Sequence, residues 1–172
     1  MNAIIENLLT RRSTRAFLQK EIPDNELNEI LQAAIYAPSG MGKQTWKFTV
    51  LCNQEKIQQL AELIGRKLGR KGYDMYRPQV LIIPSNQKEN PHGMEDNACA
   101  LENIFLAAHS FGIGSVWINQ LHTLCDDPEV RALLDEFEIP SDHVVYGMAA
   151  LGYPADAPKK EIHKIGEIRI IK

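Results

Sequence analysis

Hydrophobic positions along this chain alternate between helical and strand-like spacing. Ile4, Ile5, Leu8 and Leu9 share one helical face, which predicts a short amphipathic helix leading to Arg11. Residues 12–17 read as extended. Pro23 and Asp24 open a second helix whose Leu27, Ile30, Leu31, Ala34 and Ile35 keep the 3.6-residue period. Pro38 stops it, because the proline ring disfavours helical geometry at Ala37. Residues 46–52 alternate and are rich in aromatic and β-branched side chains, so a strand is expected. Ile57, Leu60, Ala61 and Ile64 mark a third helix, and residues 65–72 read as a basic, glycine-punctuated loop.

Further on, residues 80–83 form a short, wholly apolar strand, and residues 85–93 a polar loop containing Pro91. Residues 96–111 carry the widest apolar stripe, through Ala100, Leu101, Ile104, Phe105 and Ala108, with Gly112 as the stop. A strand is expected at 115–119, then a helix opened by Asp127-Pro128 and carrying Val130, Leu133, Leu134 and Phe137. Residues 144–151 are almost continuously apolar and are placed at the centre of the sheet. Beyond Tyr153 the chain turns polar and basic, then closes on Ile168, Ile170 and Ile171, which have no evident partner nearby.

Composition narrows the class. A chain of 172 residues with 44% hydrophobic and 24% charged residues is ordinary for one globular domain. A net charge of −3 argues against bulk binding to nucleic acid or an anionic membrane surface. Cys52, Cys99 and Cys125 are odd in number and far apart, which excludes a disulfide framework or a C-x-x-C pair and suits a reducing compartment. No apolar run is long enough to cross a bilayer, and the first residues do not read as a signal peptide. A cytoplasmic protein is expected.

Two segments carry candidate chemistry. Arg11-Arg12-Ser13-Thr14-Arg15 puts three guanidinium groups and two hydroxyls into five residues, a donor set suited to a phosphate or carboxylate. Taken alone, it also suits a basic helix end complementing the macrodipole. Residues 37–44, Ala-Pro-Ser-Gly-Met-Gly-Lys-Gln, form a glycine- and serine-rich turn whose backbone could approach a ligand, or an ordinary helix-to-strand connection. Gly65, Gly69 and Gly72 do not make a dinucleotide fingerprint, no Walker lysine is present, and the five histidines show no H-E-x-x-H spacing. His109 reads as a structural histidine beside the apolar stripe of its helix. Trp46 and Trp117 read as core residues.

Taken in order, these segments resemble the nitroreductase family. The family shows a basic-Ser-x-basic element, matched by residues 11–17, and a Pro-Ser turn closed by Gln and an aromatic, matched by Pro38-Ser39, Gln44 and Trp46. Residues 102–117 are similar to its central helix and the glycine strand after it, and residues 149–154 to its last core strand. The chain departs from the pattern at Gly42, where the family usually has Asn, and at Thr45, where Pro is common.

The resemblance implies an α+β fold with a mostly antiparallel central sheet flanked by helices. It implies one domain over residues 1–172, with residues 155–172 as a C-terminal arm exchanged in a homodimer. It further implies an FMN-dependent enzyme that takes hydride from NADH or NADPH at flavin N5 and reduces a nitroaromatic, quinone or similar small acceptor. Arg11 and Ser13, with Lys159 or Lys160, would hold the FMN phosphate, and Arg12 belongs to the same element. Arg15 and Gln44 would face the ribityl chain and the pyrimidine edge. A cation there stabilises the charge that develops on reduction. Gly112 and Gly114 would let the backbone approach the ring, Ser115 would join Gly114 among the cofactor-binding residues, and Pro38, Ser39 and Gly40 would come from the partner subunit. No side-chain acid or nucleophile is required. Other readings are a flavin-cleaving or dehalogenating relative, and an FMN-binding module without turnover.

Overall fold

The computed structural model describes residues 2–156 and 164–172. Helix α1 (Ala3–Thr10) is capped by the Asn2 side chain, which accepts from the Ile4 amide at 2.8 Å. Helix α2 (Asp24–Ile35) follows, then strand β1 (Trp46–Leu51) and helix α3 (Gln54–Lys67). Next come β2 (Val80–Gln87), α4 (Gly93–Ser110) and β3 (Gly114–Ile118). The chain continues through α5 (Pro128–Glu136), β4 (His143–Val144) and β5 (Met148–Gly152). The strands form one sheet in the order β1-β2-β5-β3, with β4 joining β2 beyond the end of β5. Every ladder is antiparallel.

Both faces of this sheet are covered, which explains why β2 begins as an unbroken apolar run. Leu81 and Ile83 point into a core shared with α3 and α5, while Val80 and Ile82 point into a second core built on α2 and α4. Residues of β5 divide the same way, with Met148 and Ala150 on one side and Ala149 and Leu151 on the other. The position of β5 inside the sheet agrees with the sequence expectation.

Four sequence expectations need correction. Helix α3 runs to Lys67, into the segment read as a loop, because Arg66 and Lys67 form ion pairs with Glu129 and Asp127 at the start of α5. Strand β2 runs to Gln87, although residues 85–87 read as loop on polarity. Ser85 and Asn86 are buried and bonded inside the sheet: Ser85 Oγ meets His143 Nδ1 at 3.0 Å, and Asn86 Oδ1 accepts from Thr45 at 2.6 Å, while Asn86 Nδ2 has no hydrogen-bond partner among the described residues. The apolar stretch 144–151 is two strands, not one, since the Val145 amide turns to Cys125 Sγ at 3.4 Å. Trp117 is not in the core: it is 39% exposed and rests against Phe105, ring centroids 6.2 Å apart.

No described helix is long and apolar enough to cross a membrane. Among the described residues no cluster of His, Cys, Asp or Glu could hold a metal, and all three cysteines are free.

Candidate flavin site

After α1 the chain runs beside β3, the edge strand of the sheet. Ser13 forms a parallel bridge with Ser115, and the Thr14 amide donates to the Ser115 carbonyl at 2.9 Å. Phe17 bridges Pro154 farther along. This contact opens a cavity of about 600 Å³ between the basic segment, the end of α4 and the start of β3. It is lined by Arg11, Arg12, Ser13, Arg15, Gly114 and Ser115, all six of them expected from sequence. That volume lies within the range of small-molecule sites.

The approach of the two segments dictates Gly114. An ideal Cβ there would sit 2.5 Å from the Thr14 hydroxyl, so only glycine lets the basic segment lie against β3. Ser115 contributes backbone to the wall. Its Oγ is buried and has no hydrogen-bond partner among the described residues.

The three arginines differ in what they do. The Arg12 guanidinium folds back on its own helix, donating to the Leu9 carbonyl at 2.7 Å and the Arg11 carbonyl at 2.8 Å. It thereby satisfies an orphan carbonyl and offsets the negative end of the α1 dipole, which would otherwise repel an anion here. Arg11 is half-buried, its guanidinium 5.9 Å from the centroid of the Phe105 ring. Arg15 is exposed. Among the described residues none of the three takes part in an ion pair. Asp156 is the one carboxylate among the lining residues. A cavity with uncommitted guanidinium groups is suited to an anionic ligand, so these residues fit a flavin phosphate.

Sequence reasoning missed Thr10, His109 and Pro154, which also line the cavity. The Thr10 hydroxyl donates to the Glu6 carbonyl at 2.7 Å and lies 2.9 Å from His109 Nε2. Burial, then the charges of Arg11 and Arg12, push the His109 pKa below the usual histidine value. The signal for His109 was its place one turn before Gly112; taken by itself, the apolar stripe gave no reason to choose it.

Pro38, Ser39, Gly40 and Gln44 do not line this cavity. They form a separate turn at the start of α4, held by a buried polar cluster. Asp96, 2% exposed, accepts from the Gly40 amide at 2.6 Å and from Asn90 Nδ2 at 3.0 Å. The Gln44 amide donates to Ser39 Oγ at 3.3 Å, and those of Gly42 and Lys43 to the carbonyls of Ser39 and Gly40. Met41 and Gln44 both adopt left-handed backbone, with φ of 56° and 50°, a strained arrangement for residues other than glycine. Thr45, where the family often has proline, donates to Asn86 and accepts from Asn90, so it ties the turn to β2. Lys159 and Lys160 lie outside the described residues.

An antiparallel sheet between two helical layers, with an arginine-lined cavity at its edge, defines an α+β protein with a pocket suited to an anionic ligand. The chain belongs to the nitroreductase family, whose sequence profile matches residues 8–79 and 67–153. It is similar to a nitroreductase from Bacteroides fragilis solved with bound FMN, with 43% identity, full coverage of both chains and a TM-score of 0.94. It is 32% identical over 158 residues to an Archaeoglobus fulgidus protein named for NADH dehydrogenase and NAD(P)H nitroreductase activity, covering 91% of this chain and 88% of that one. It is also 28% identical over 170 residues to the NADPH-flavin oxidoreductase of Vibrio harveyi, covering 92% and 69%.

Proposed function

We propose that this protein is an FMN-dependent NAD(P)H oxidoreductase that passes electrons to a nitroaromatic, quinone or similar small acceptor. FMN, when bound, supplies the hydride and electron transfer, so the protein's task is to hold and tune it. Arg11 and Ser13 hold the phosphate, joined by Lys159 or Lys160. Arg15 supplies positive charge toward the pyrimidine edge without itself exchanging a proton. Arg12 supports the site from behind by capping α1. The observation that carries the reading is the arginine-lined cavity at the β3 edge, in a chain this similar to an FMN-bound nitroreductase.

The separation of the turn at Pro38 to Gln44 from this cavity supports a homodimer in which each site borrows the partner's turn, with residues 155–172 as an exchanged arm. The free cysteines support a reducing, cytoplasmic setting.

The test for the acceptor is anaerobic stopped-flow. Holoenzyme reduced by one equivalent of NADH or NADPH is mixed with p-nitrobenzoate, a benzoquinone or a halotyrosine. Return of flavin absorbance with the nitroaromatic or the quinone supports the reading. Reoxidation by the halotyrosine alone would replace it with dehalogenation.

A further inference from the structure

We propose that His109 is a proton-coupled anion-binding residue of the flavin cavity, taking up a proton when the FMN phosphate arrives. The inference rests on the proposed FMN site and concerns a residue that neither the sequence pattern nor the arginine cluster assigns to it.

A threonine hydroxyl has a single O–H to donate, and Thr10 gives its own to the Glu6 carbonyl at 2.7 Å. Its 2.9 Å contact with His109 must then be an accepted bond, which puts a hydrogen on Nε2. A neutral His109 therefore keeps a bare Nδ1, and no described residue hydrogen-bonds to it. His109 lines the cavity directly, so an anion there meets a ring held in one orientation by Thr10.

The surrounding charges explain why the proton is absent beforehand. From the segment after α1, Arg11, Arg12 and Arg15 share the cavity with His109, and Asp156 from the turn after β5 is the carboxylate opposing them. Burial is the larger influence, and Arg11 and Arg12 add to it in disfavouring the imidazolium. An incoming phosphate reverses the sign of the local field, which raises the pKa of the histidine. By linkage, FMN binding consumes a proton in the pH interval between the free and the loaded pKa. Affinity for the phosphate then gains a contribution that fades as pH rises through the loaded value.

Calorimetry tests this without turnover. FMN is titrated into apoprotein between pH 5.5 and 8 in buffers of different ionisation enthalpy, giving the protons taken up per FMN bound. The same is done for His109→Gln, whose amide can still donate to Thr10, and with riboflavin, which lacks the phosphate. The proposal expects proton uptake by the parent to exceed that of the variant, and the excess to vanish with riboflavin. It also expects nitrogen NMR to show His109 protonated only at Nε2 without ligand and at both nitrogens with FMN, a readout that needs no variant. Equal proton counts in parent and variant, with Nδ1 bare in the loaded protein, would overturn the proposal while leaving the FMN site standing. A protein that binds no FMN would overturn both.

Discussion

Arg11 and Arg12 are adjacent in sequence yet face different tasks. Arg11 lines the cavity beside Phe105 with no ion-pair partner among the described residues, whereas Arg12 spends its guanidinium on the Leu9 and Arg11 carbonyls. Replacing Arg11 by Ala removes a charge-assisted contact of about 1.5–3 kcal/mol, so FMN affinity should fall about ten- to hundredfold. Replacing Arg12 by Ala should cost about 0.5–1.5 kcal/mol of stability through the lost hydrogen bonds and weaken FMN less than the Arg11 change does. Flavin fluorescence titration and thermal melting of the two variants separate the roles; an Arg12 variant weaker for FMN than the Arg11 variant would reverse them. Gly114→Ala is a steric counterpart. Its Cβ would collide with Thr14, so the segment carrying Arg11 and Ser13 must move off β3, at about 1–3 kcal/mol of overpacking. FMN affinity and melting temperature should fall together, and an unchanged dissociation constant would show that this contact does not position the donors.

At the level of elements, α3 and α5 are joined by charges that make stability depend on acid. Lys67 contacts Asp127 at 2.8 Å and Glu129 at 3.0 Å, and Arg66 contacts Glu129 at 2.6 Å. The hydrogen bond from Lys67 is the main influence holding both carboxyl pKa values below their ordinary 3.8 and 4.5. Carboxylates that ionise more readily when folded contribute their stability in full above the unfolded values, and lose it as pH falls through the folded ones. The melting temperature should therefore decline between about pH 5 and pH 3, and Lys67→Met should shallow that decline, more visibly at low salt. An identical acid profile in the variant would remove this joint from the account.

The same elements show what the sequence could reveal. Periodicity identified all five α-helices of the described residues and placed 80–83 and 144–151 in the sheet, because apolar burial on both faces writes itself directly into residue type. It missed Ser85–Gln87 as strand, since the buried Ser85 hydroxyl and Asn86 carbonyl oxygen find their partners in His143 and Thr45, residues about 40 or more positions away. It also missed the break at Val145, which depends on Cys125. Among the residues that line the cavity, Arg11, Ser13, Arg15, Gly114 and Ser115 were legible from local pattern and resemblance. His109 was not, because its contact is with Thr10, 99 residues distant.

The whole molecule leaves unusual apolar surface open. None of α1 is buried, and Ile4, Ile5, Leu8 and Leu9 are exposed, as are Ile165, Ile168, Ile170 and Ile171, the last four between 75% and 98%. Surfaces of this kind mark association sites. The proposed homodimer covers them and should bury more than about 2,000 Å² in total, as obligate dimers do. Ending the chain after Tyr153 removes these C-terminal isoleucines together with Lys159 and Lys160, so light scattering should find monomer and absorbance should find no flavin. A truncated protein that remains dimeric and yellow would exclude the arm from both roles.

The central claim, that the cavity at the β3 edge holds a working flavin, meets its most direct test in one anaerobic titration. Purified protein is loaded with FMN, freed of excess, and titrated with NADH and separately with NADPH under nitrogen while the flavin absorbance is followed. The account predicts a protein-bound flavin spectrum at one FMN per chain, bleached by about one equivalent of at least one of the two nucleotides. A protein that retains no FMN, or holds FMN that neither nucleotide bleaches, would contradict it.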